Sequence, residues 1–402
     1  MTTDPATDFP PAVHRAEARI DLDAIRANTA RLRAVAACGG SHAQVMAVVK
    51  ADAYGHGAVA CGRAAREAGA AWLGTALPQE ALELRAAGIG GPILSWLNTP
   101  GTPWAALIGG DVDVAAYAPW ALDEISAAAQ RTGRVARVQL KCDTGLGRGG
   151  TQPHDWLELV EQAAKAEALG TVKVTGVWSH FARADEPGHP SVQSQITAFH
   201  DALAIAEQAG LDPEVRHIAN SPGALLLPEA RFDLIRTGLA VYGLSPVPEI
   251  GDAAHFGLKP AMTLTARVAL VKKAPADHGI SYGHTYFTQQ DTTLALIPLG
   301  YADGLPRAAS NTAEVFLGGR RHRVAGRMAM DQFVVDLSRG GTSISTSTGV
   351  EVRVGDEVVI FGPGDRGEPT AEDWARAVDT ISYEIVTRIG ARVPRVYLGQ
   401  SS

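Results

Sequence analysis

Lys50 closes a short apolar run formed by Val45, Met46, Val48 and Val49, and Gly55 and Gly57 then open a helix-like stretch through Cys61, Ala64, Ala65 and Ala68. A lysine at the carboxyl end of a buried parallel strand faces the crevice in which α/β folds carry their sites. Partial desolvation there lowers an amine pKa from ~10.4, and the neutral amine can form a Schiff base with a carbonyl group. A lone lysine is far more often a surface residue with a buried stem, so the neighbouring motifs decide its reading.

Short apolar runs recur between helix-like stretches: Gln44 to Val49, Trp72 to Ala76, Pro92 to Leu97, Asp111 to Tyr117, Val135 to Leu140, Val174 to Ser179, Val215 to Ala219 and Asp233 to Arg236. Helix periodicity marks Gln79 to Ala87, Pro119 to Arg131, His154 to Leu169 and Ser191 to Gln208. Eight strand–helix alternations predict a closed (β/α)8 barrel of the TIM type, with an open doubly wound sheet as the alternative. The candidate residues Lys50, His180, Asn220, Ser221 and Arg236 then fall at or beside the carboxyl ends of strands. Beyond about residue 250, strand-like runs bounded by glycine and charged turns predict a mainly antiparallel β domain: Met262 to Lys272, Thr292 to Leu299, Glu314 to Leu317, Gln332 to Leu337 and Val358 to Phe361. The expected division is a tail over 1–12, a barrel over 13–250 and a β domain over 251–402.

Composition narrows the class. A chain of 402 residues with a hydrophobic fraction of 46% can fill a large core, and its net charge of −7 gives no basic footprint for nucleic acid. The N-terminus lacks a signal-peptide pattern and no apolar run approaches a membrane span, so a cytoplasmic protein is expected. Cys38, Cys61 and Cys142 are too few and scattered for a disulfide framework, and the twelve histidines show no HExxH or comparable spacing, so no metal is expected.

The segment AVVKADAYGHG, Ala47 to Gly57, resembles almost residue for residue the pyridoxal-phosphate lysine motif of the alanine racemases. Further segments similar to that family follow in order: LKCDTGLGRGG, WSHFARADE, HIANSPGALLLP, DLIRTGLAVYG, HGISYGHTY, GYADGLPR, GRMAMDQ and TISYEI. The resemblance runs from about Arg19 to Tyr397. It implies pyridoxal phosphate as cofactor and L- and D-alanine as substrates, with D-alanine serving as a peptidoglycan precursor. It also implies a homodimer in which Tyr282 enters the other subunit's site. Lys50 and Tyr282 would be the two bases. Arg148 would hold the substrate carboxylate, with Met330, Asp331 and Tyr301 lining the substrate pocket. Tyr54, Ser221, Gly238, Leu239 and Tyr383 would hold the phosphate, with Asn220 beside Ser221 and His180 against the cofactor ring. Lys141 matches a lysine that is carbamylated in several members and there orients the arginine. Ala329 stands where many relatives have cysteine.

Physical chemistry agrees with those assignments. Inverting a stereocentre needs a proton removed from one face and returned on the other, hence two bases flanking the reacting carbon. A guanidinium pairs both oxygens of a carboxylate and stays charged. The resemblance also implies Arg236 beside the cofactor's pyridine nitrogen, where it would disfavour protonation, weaken the electron sink and suit racemisation over transamination.

Particular residues argue against other readings. Gly145, Gly147 and Gly150 satisfy GxGxxG, but the acidic residue of a dinucleotide site is missing from the Leu169–Lys173 region. Gly279, Ser281 and Gly283 satisfy GxSxG without a following helix-like run. A decarboxylase on the same two-domain fold would use a carboxylate in place of Arg236 and a cysteine beyond Cys142. A non-enzymatic cofactor carrier would lack residues 251–402. A racemase of broader small-amino-acid specificity stays open, because a methylene or hydroxyl discriminates by only ~1–3 kcal/mol in an apolar pocket.

Overall fold

The computed structural model describes residues 14–338 and 351–399, and the tail expected over 1–12 lies outside the described residues. Along the chain come β1 (Ala16–Asp21), β2 (Gln44–Val48), β3 (Trp72–Thr75), β4 (Ile93–Ser95), β5 (Val112–Ala116), β6 (Ala136–Lys141), β7 (Val172–Trp178), β8 (Val215–His217) and β9 (Leu234–Thr237). The chain divides into two compact units. One joins the residues up to Ile20 with Met262–Val396, and the other joins Asp21–Ala261 with the residues from Tyr397.

In the second unit, β2 to β9 form one parallel sheet in the order β8-β7-β6-β5-β4-β3-β2-β9. Two backbone bonds bring β8 and β9 together, Asp233 N–H to Arg216 O at 3.1 Å and Arg236 N–H to Ala219 O at 2.9 Å, so the sheet is a nearly closed barrel and not an open doubly wound one. Every barrel strand falls within two residues of its expected bounds. Local chemistry explains the intervening helices. Pro119, Pro153 and Pro190 each open one, over Pro119–Thr132, Pro153–Ala168 and Pro190–Gln208, where the missing N–H and preset φ suit the first turn. Gly133, at φ +65°, ends the first of these, whose stripe Ala121, Leu122, Ile125, Ala128 and Ala129 is buried. Met46, Trp72, Leu94, Val215 and Leu234, from five barrel strands, pack as one buried cluster. Each such side chain contributes ~1.5–3 kcal/mol on burial, and this packing fixes the strand ends that carry the site.

The other unit holds a nine-stranded sheet whose assigned pairings are antiparallel. β1 belongs here: Ala16 to Ile20 pair with Ala266 to Met262, and Ala16, Ala18 and Ile20 are buried. This strand was not counted from the sequence, and neither were Arg320–Ala325 and Arg395–Leu398. The run expected from Met262 to Lys272 is two strands, Met262–Arg267 and Leu270–Ala274. Between them Val268 donates to Asp356 O and Ala269 to Leu296 O, so the chain changes partners.

Candidate active site

Lys50 follows β2 on a turn of opposite hand to an ordinary helix. Ala51, Asp52, Ala53 and Tyr54 all lie near φ +53°, ψ +48°, a left-handed run without a glycine. Each such residue costs roughly 1–2 kcal/mol, so the turn must be held from outside. Ala53 donates to Val49 O at 2.8 Å, Asp52 Oδ1 accepts from Ala58 N–H at 2.7 Å, and Ala51 N–H donates to Glu80 Oε1 at 2.6 Å. The His56 ring lies 3.0 Å through Nδ1 from both the Ala53 and the Tyr54 carbonyls, so Nδ1 carries the proton. Glu80 is itself fixed, its other oxygen accepting from Ala76 and Leu77 N–H at 2.9 Å.

The result is a half-buried amine in a cationic surrounding. Burial first, and then the charges of Arg148 and Arg236, lower the Lys50 pKa against a partial opposing effect of Glu80. Its Nζ lies 5.9 Å from the Tyr54 ring centre and 6.0 Å from that of Trp96. Lys141, at the end of β6, is buried with Nζ 4.6 Å from the centre of the Trp178 ring, and burial with Arg236 and Arg148 pushes its amine down to about 8.

Arg236, on β9, is buried and meets no carboxylate among the described residues. Its guanidinium donates to Ser179 O at 2.7 Å and Ile218 O at 3.2 Å, and meets His217 Nδ1 and His180 Nδ1 at 3.0 Å each. Burial lowers its pKa to about 9, which leaves it a cation at neutral pH. Burial and that cation together hold both histidines well below the ordinary histidine range, so both are neutral and accept through Nδ1.

Ser221 and Gly238 meet at a third corner. Gly238 N–H donates to Ser221 Oγ at 3.0 Å, and a Cβ on Gly238 would stand 2.8 Å from Tyr54 Cζ and closer still to its hydroxyl. Asn220 is the cap of the helix Ser221–Leu226, its Oδ1 accepting from Gly223 N–H at 3.1 Å. Leu239 is buried at the start of the turn Leu239–Tyr242.

Arg148 sits on an exposed loop organised by Asp143. That carboxylate accepts the N–H groups of Gly145 and Leu146 at 2.9 Å and of Gly147 at 3.0 Å. Gly150, at φ +129°, lies so near the Asp143 and Cys142 backbone that a side chain would not fit. The GxGxxG spacing thus lies in the loop between β6 and the helix Pro153–Ala168, and its N–H groups are taken by the Asp143 carboxylate and not left open to a phosphate.

The antiparallel unit carries the remaining candidates. Tyr282 is 71% exposed on the short turn Tyr282–His284, beside a cleft of about 480 Å³ lined by Ser281, Gly283, Ala329, Gln332 and Phe333 among others. Ser281 Oγ donates to Arg327 O at 2.6 Å and no nucleophile-elbow helix follows, which removes the GxSxG reading. Tyr301 and Met330 are brought together: Tyr301 N–H donates to Ala329 O at 3.2 Å and Ala302 N–H to Met330 O at 2.9 Å. Asp331 pairs with Arg392 at 2.8 Å, and Tyr383 is half-buried on the helix Ser382–Thr387. Sequence reasoning did not single out His56, Glu80, Trp178 or His217. Strand-end position alone could have nominated the last two.

Among the described residues no helix is long and apolar enough to cross a membrane, and no group of three or more His, Cys, Asp or Glu side chains could hold a metal ion.

A nearly closed (β/α)8 barrel with a lysine, two arginines and neutral histidines at its strand ends, coupled in sequence to an antiparallel β unit, defines a narrow class of two-domain proteins. Residues 20–246 match the family described as alanine racemase, N-terminal domain, and residues 261–397 the alanine racemase, C-terminal domain. The chain is 59% identical over 394 residues to the alanine racemase of Streptomyces coelicolor, covering 97% of each, and 59% identical over 384 residues to that of Frankia casuarinae, covering 96% of each. Among solved structures it resembles the alanine racemase of D-cycloserine-producing Streptomyces lavendulae, with TM-score 0.92 and 62% identity over 97% of this chain and 99% of that one. The alanine racemase of Bacillus anthracis with bound L-Ala-P matches with TM-score 0.84 and 33% identity over 97% and 96%. The chain belongs to the alanine racemase family.

Proposed function

We propose that the protein is a pyridoxal-phosphate-dependent racemase that interconverts L- and D-alanine, working as a cytoplasmic homodimer and yielding D-alanine for peptidoglycan precursors. The observation that carries this reading is the strand-end basin, in which burial and nearby arginines lower the Lys50 pKa close to an Arg236 that has no carboxylate partner among the described residues. The residues present suit the cofactor. Glycine at 238 keeps a gap beside the Tyr54 hydroxyl that a Cβ would close, and the Ser221 hydroxyl meets the same backbone N–H, a donor set fit for a phosphate. Tyr383, Asn220 and Leu239 are assigned to the same binding task. Bound pyridoxal phosphate supplies electron withdrawal from the substrate's Cα, which makes its proton removable near neutral pH.

The chain's own residues do the rest. Arg148 holds the carboxylate through its fork, on the loop that Asp143 stiffens, and Lys141 positions that arginine as an amine or as a carbamate. Lys50 Nζ moves the proton on one face of Cα, and Tyr282 Oη, exposed on its own unit, serves the other face from the partner subunit. His180, neutral and held through Nδ1, carries its proton on Nε2 and would offer that N–H beside the cofactor ring. Arg236 is a donor only, so it would disfavour protonation of a pyridine nitrogen held against it, which would favour return of the proton to Cα. Met330, Asp331 and Tyr301 shape the alanine pocket.

The test is incubation of the cofactor-loaded protein with L-alanine in D2O, following Cα exchange and optical rotation, with Tyr282→Phe in parallel. Exchange with inversion is expected for the wild type, and a selective loss of proton abstraction from L-alanine for the variant. Binding of L-alanine without Cα exchange would overturn the proposal.

A further inference from the structure

Behind Arg236 a line of side chains crosses the barrel interior. Arg236 donates to His217 Nδ1, so the His217 proton sits on Nε2, which lies 2.8 Å from Gln139 Oε1. That contact orients the Gln139 amide, whose Nε2 then donates to Asp113 Oδ2 at 3.4 Å. Asp113 also accepts from Thr175 Oγ1 at 2.6 Å and from Arg137 Nε at 2.8 Å, and Arg137 reaches the exposed Glu214 at 2.9 Å. His217, Gln139 and Thr175 are fully buried, and Asp113 nearly so. A backbone needs none of these side chains to form its strands, and five polar groups inside a barrel are costly unless every donor meets an acceptor.

The direction of the bonds is fixed by the two ends. A guanidinium can only donate and a paired carboxylate can only accept, so each intermediate group has one permitted orientation. Gln139 is the one link able to accept from an Nε2–H and donate onward. Gly176 leaves room for it, since a Cβ there would stand 2.8 Å from Gln139 Cδ.

We propose that Gln139 and Asp113 are positioning residues for the racemase site, locking His217 in its neutral Nε2–H form so that Arg236 is held in one orientation as a donor. This rests on the alanine racemase reading for its catalytic consequence, while the histidine form can be measured without it. A leucine at 139 would keep the volume and break both links. A glutamate would accept from His217 but not donate to Asp113, and its charge would favour an imidazolium that can no longer accept from Arg236.

The test combines ¹⁵N NMR of the histidine rings in the cofactor-free protein with steady-state kinetics of the loaded enzyme, for wild type, Gln139→Leu and Gln139→Glu. The wild type should show His217 neutral with the proton on Nε2. Gln139→Leu leaves the His217 Nε2–H without an acceptor, so part of the population should leave Arg236 for the other tautomer, with a kcat about tenfold lower and KM for alanine changed less than threefold. Gln139→Glu should give protonated His217 at pH 7 and a larger loss in kcat. Thr175→Val, which removes one bond to Asp113 but none of the links to Arg236, should keep the wild-type tautomer and serves if either Gln139 variant fails to fold, in which case Asp113→Asn is read against it and should loosen the tautomer. An unchanged His217 tautomer in every variant that cuts the line, or equal losses in Gln139→Leu and Gln139→Glu with KM rising in parallel, would overturn the proposal. A wild type with the expected tautomer but no racemisation would instead refute the racemase reading.

Discussion

Substitution at Ala51 tests the left-handed turn behind Lys50 through the sign of a stability change. Ala51 is exposed at φ +52°, ψ +50°, and its side chain makes no packing that a substitution would remove. An alanine in this conformation costs about 1–2 kcal/mol relative to its ordinary helical form, and glycine escapes that cost. Glycine also loses about 0.5–1 kcal/mol more backbone entropy on folding, so Ala51→Gly should stabilise by roughly 0.5–1 kcal/mol. Ala51→Val should destabilise by about 1 kcal/mol or more, since a β-branched residue is a true outlier there. The expected order is therefore Gly, Ala, Val from most to least stable. A right-handed helix at the same place would put Ala first and Gly last, with Ala→Gly costing about 1 kcal/mol. Urea unfolding of the cofactor-free protein, read as midpoints at constant slope, measures the order. Destabilisation by Ala51→Gly would refute the strained turn and with it the view that Glu80, Asp52 and His56 hold Lys50 in place against a local preference.

Two further outcomes follow from the site. Gly238→Ala puts a methyl against the Tyr54 ring, and an overpacking cost of about 1–3 kcal/mol should weaken pyridoxal phosphate binding about 5- to 150-fold in a spectroscopic titration, with unfolding little changed if the clash is confined to the pocket. Lys141 has its amine pushed from 10.5 down to about 8 in the folded protein, so the unfolded chain binds the extra proton between those values. Stability linked to this group is lowest below pH 8 and recovers as pH rises toward 10.5. In carbonate-free buffer Lys141→Met should therefore stabilise the cofactor-free protein by a few kcal/mol at pH 7, the advantage shrinking by pH 10.5. A difference independent of pH would remove the desolvated-amine account.

Much of the barrel was legible in the residues themselves. Apolar runs, helix-opening prolines at 119, 153 and 190, and the glycine closing a helix at 133 are local signals, and period and capping are properties a short window contains. Lys50, His180, Ser221 and Arg236 were nominated by type and strand-end position and Arg148 by its loop motif, each together with the family resemblance. The left-handed turn was not legible, because Lys-Ala-Asp-Ala-Tyr has no local reason to leave a right-handed helix and does so against partners such as Glu80, far along the chain. β1 was missed for a related reason: Ala-Glu-Ala-Arg-Ile-Asp alternates too weakly to announce a strand, and its edge is supplied by Met262–Arg267 across more than two hundred residues. Likewise Arg236, His217, Gln139 and Asp113 come from four separate strands, and only closure of the sheet sets them end to end. Periodicity determined which elements form and which end of each carries chemistry. Register, handedness and the polar line inside the barrel were decided by tertiary structure, because they depend on partners that no local window holds.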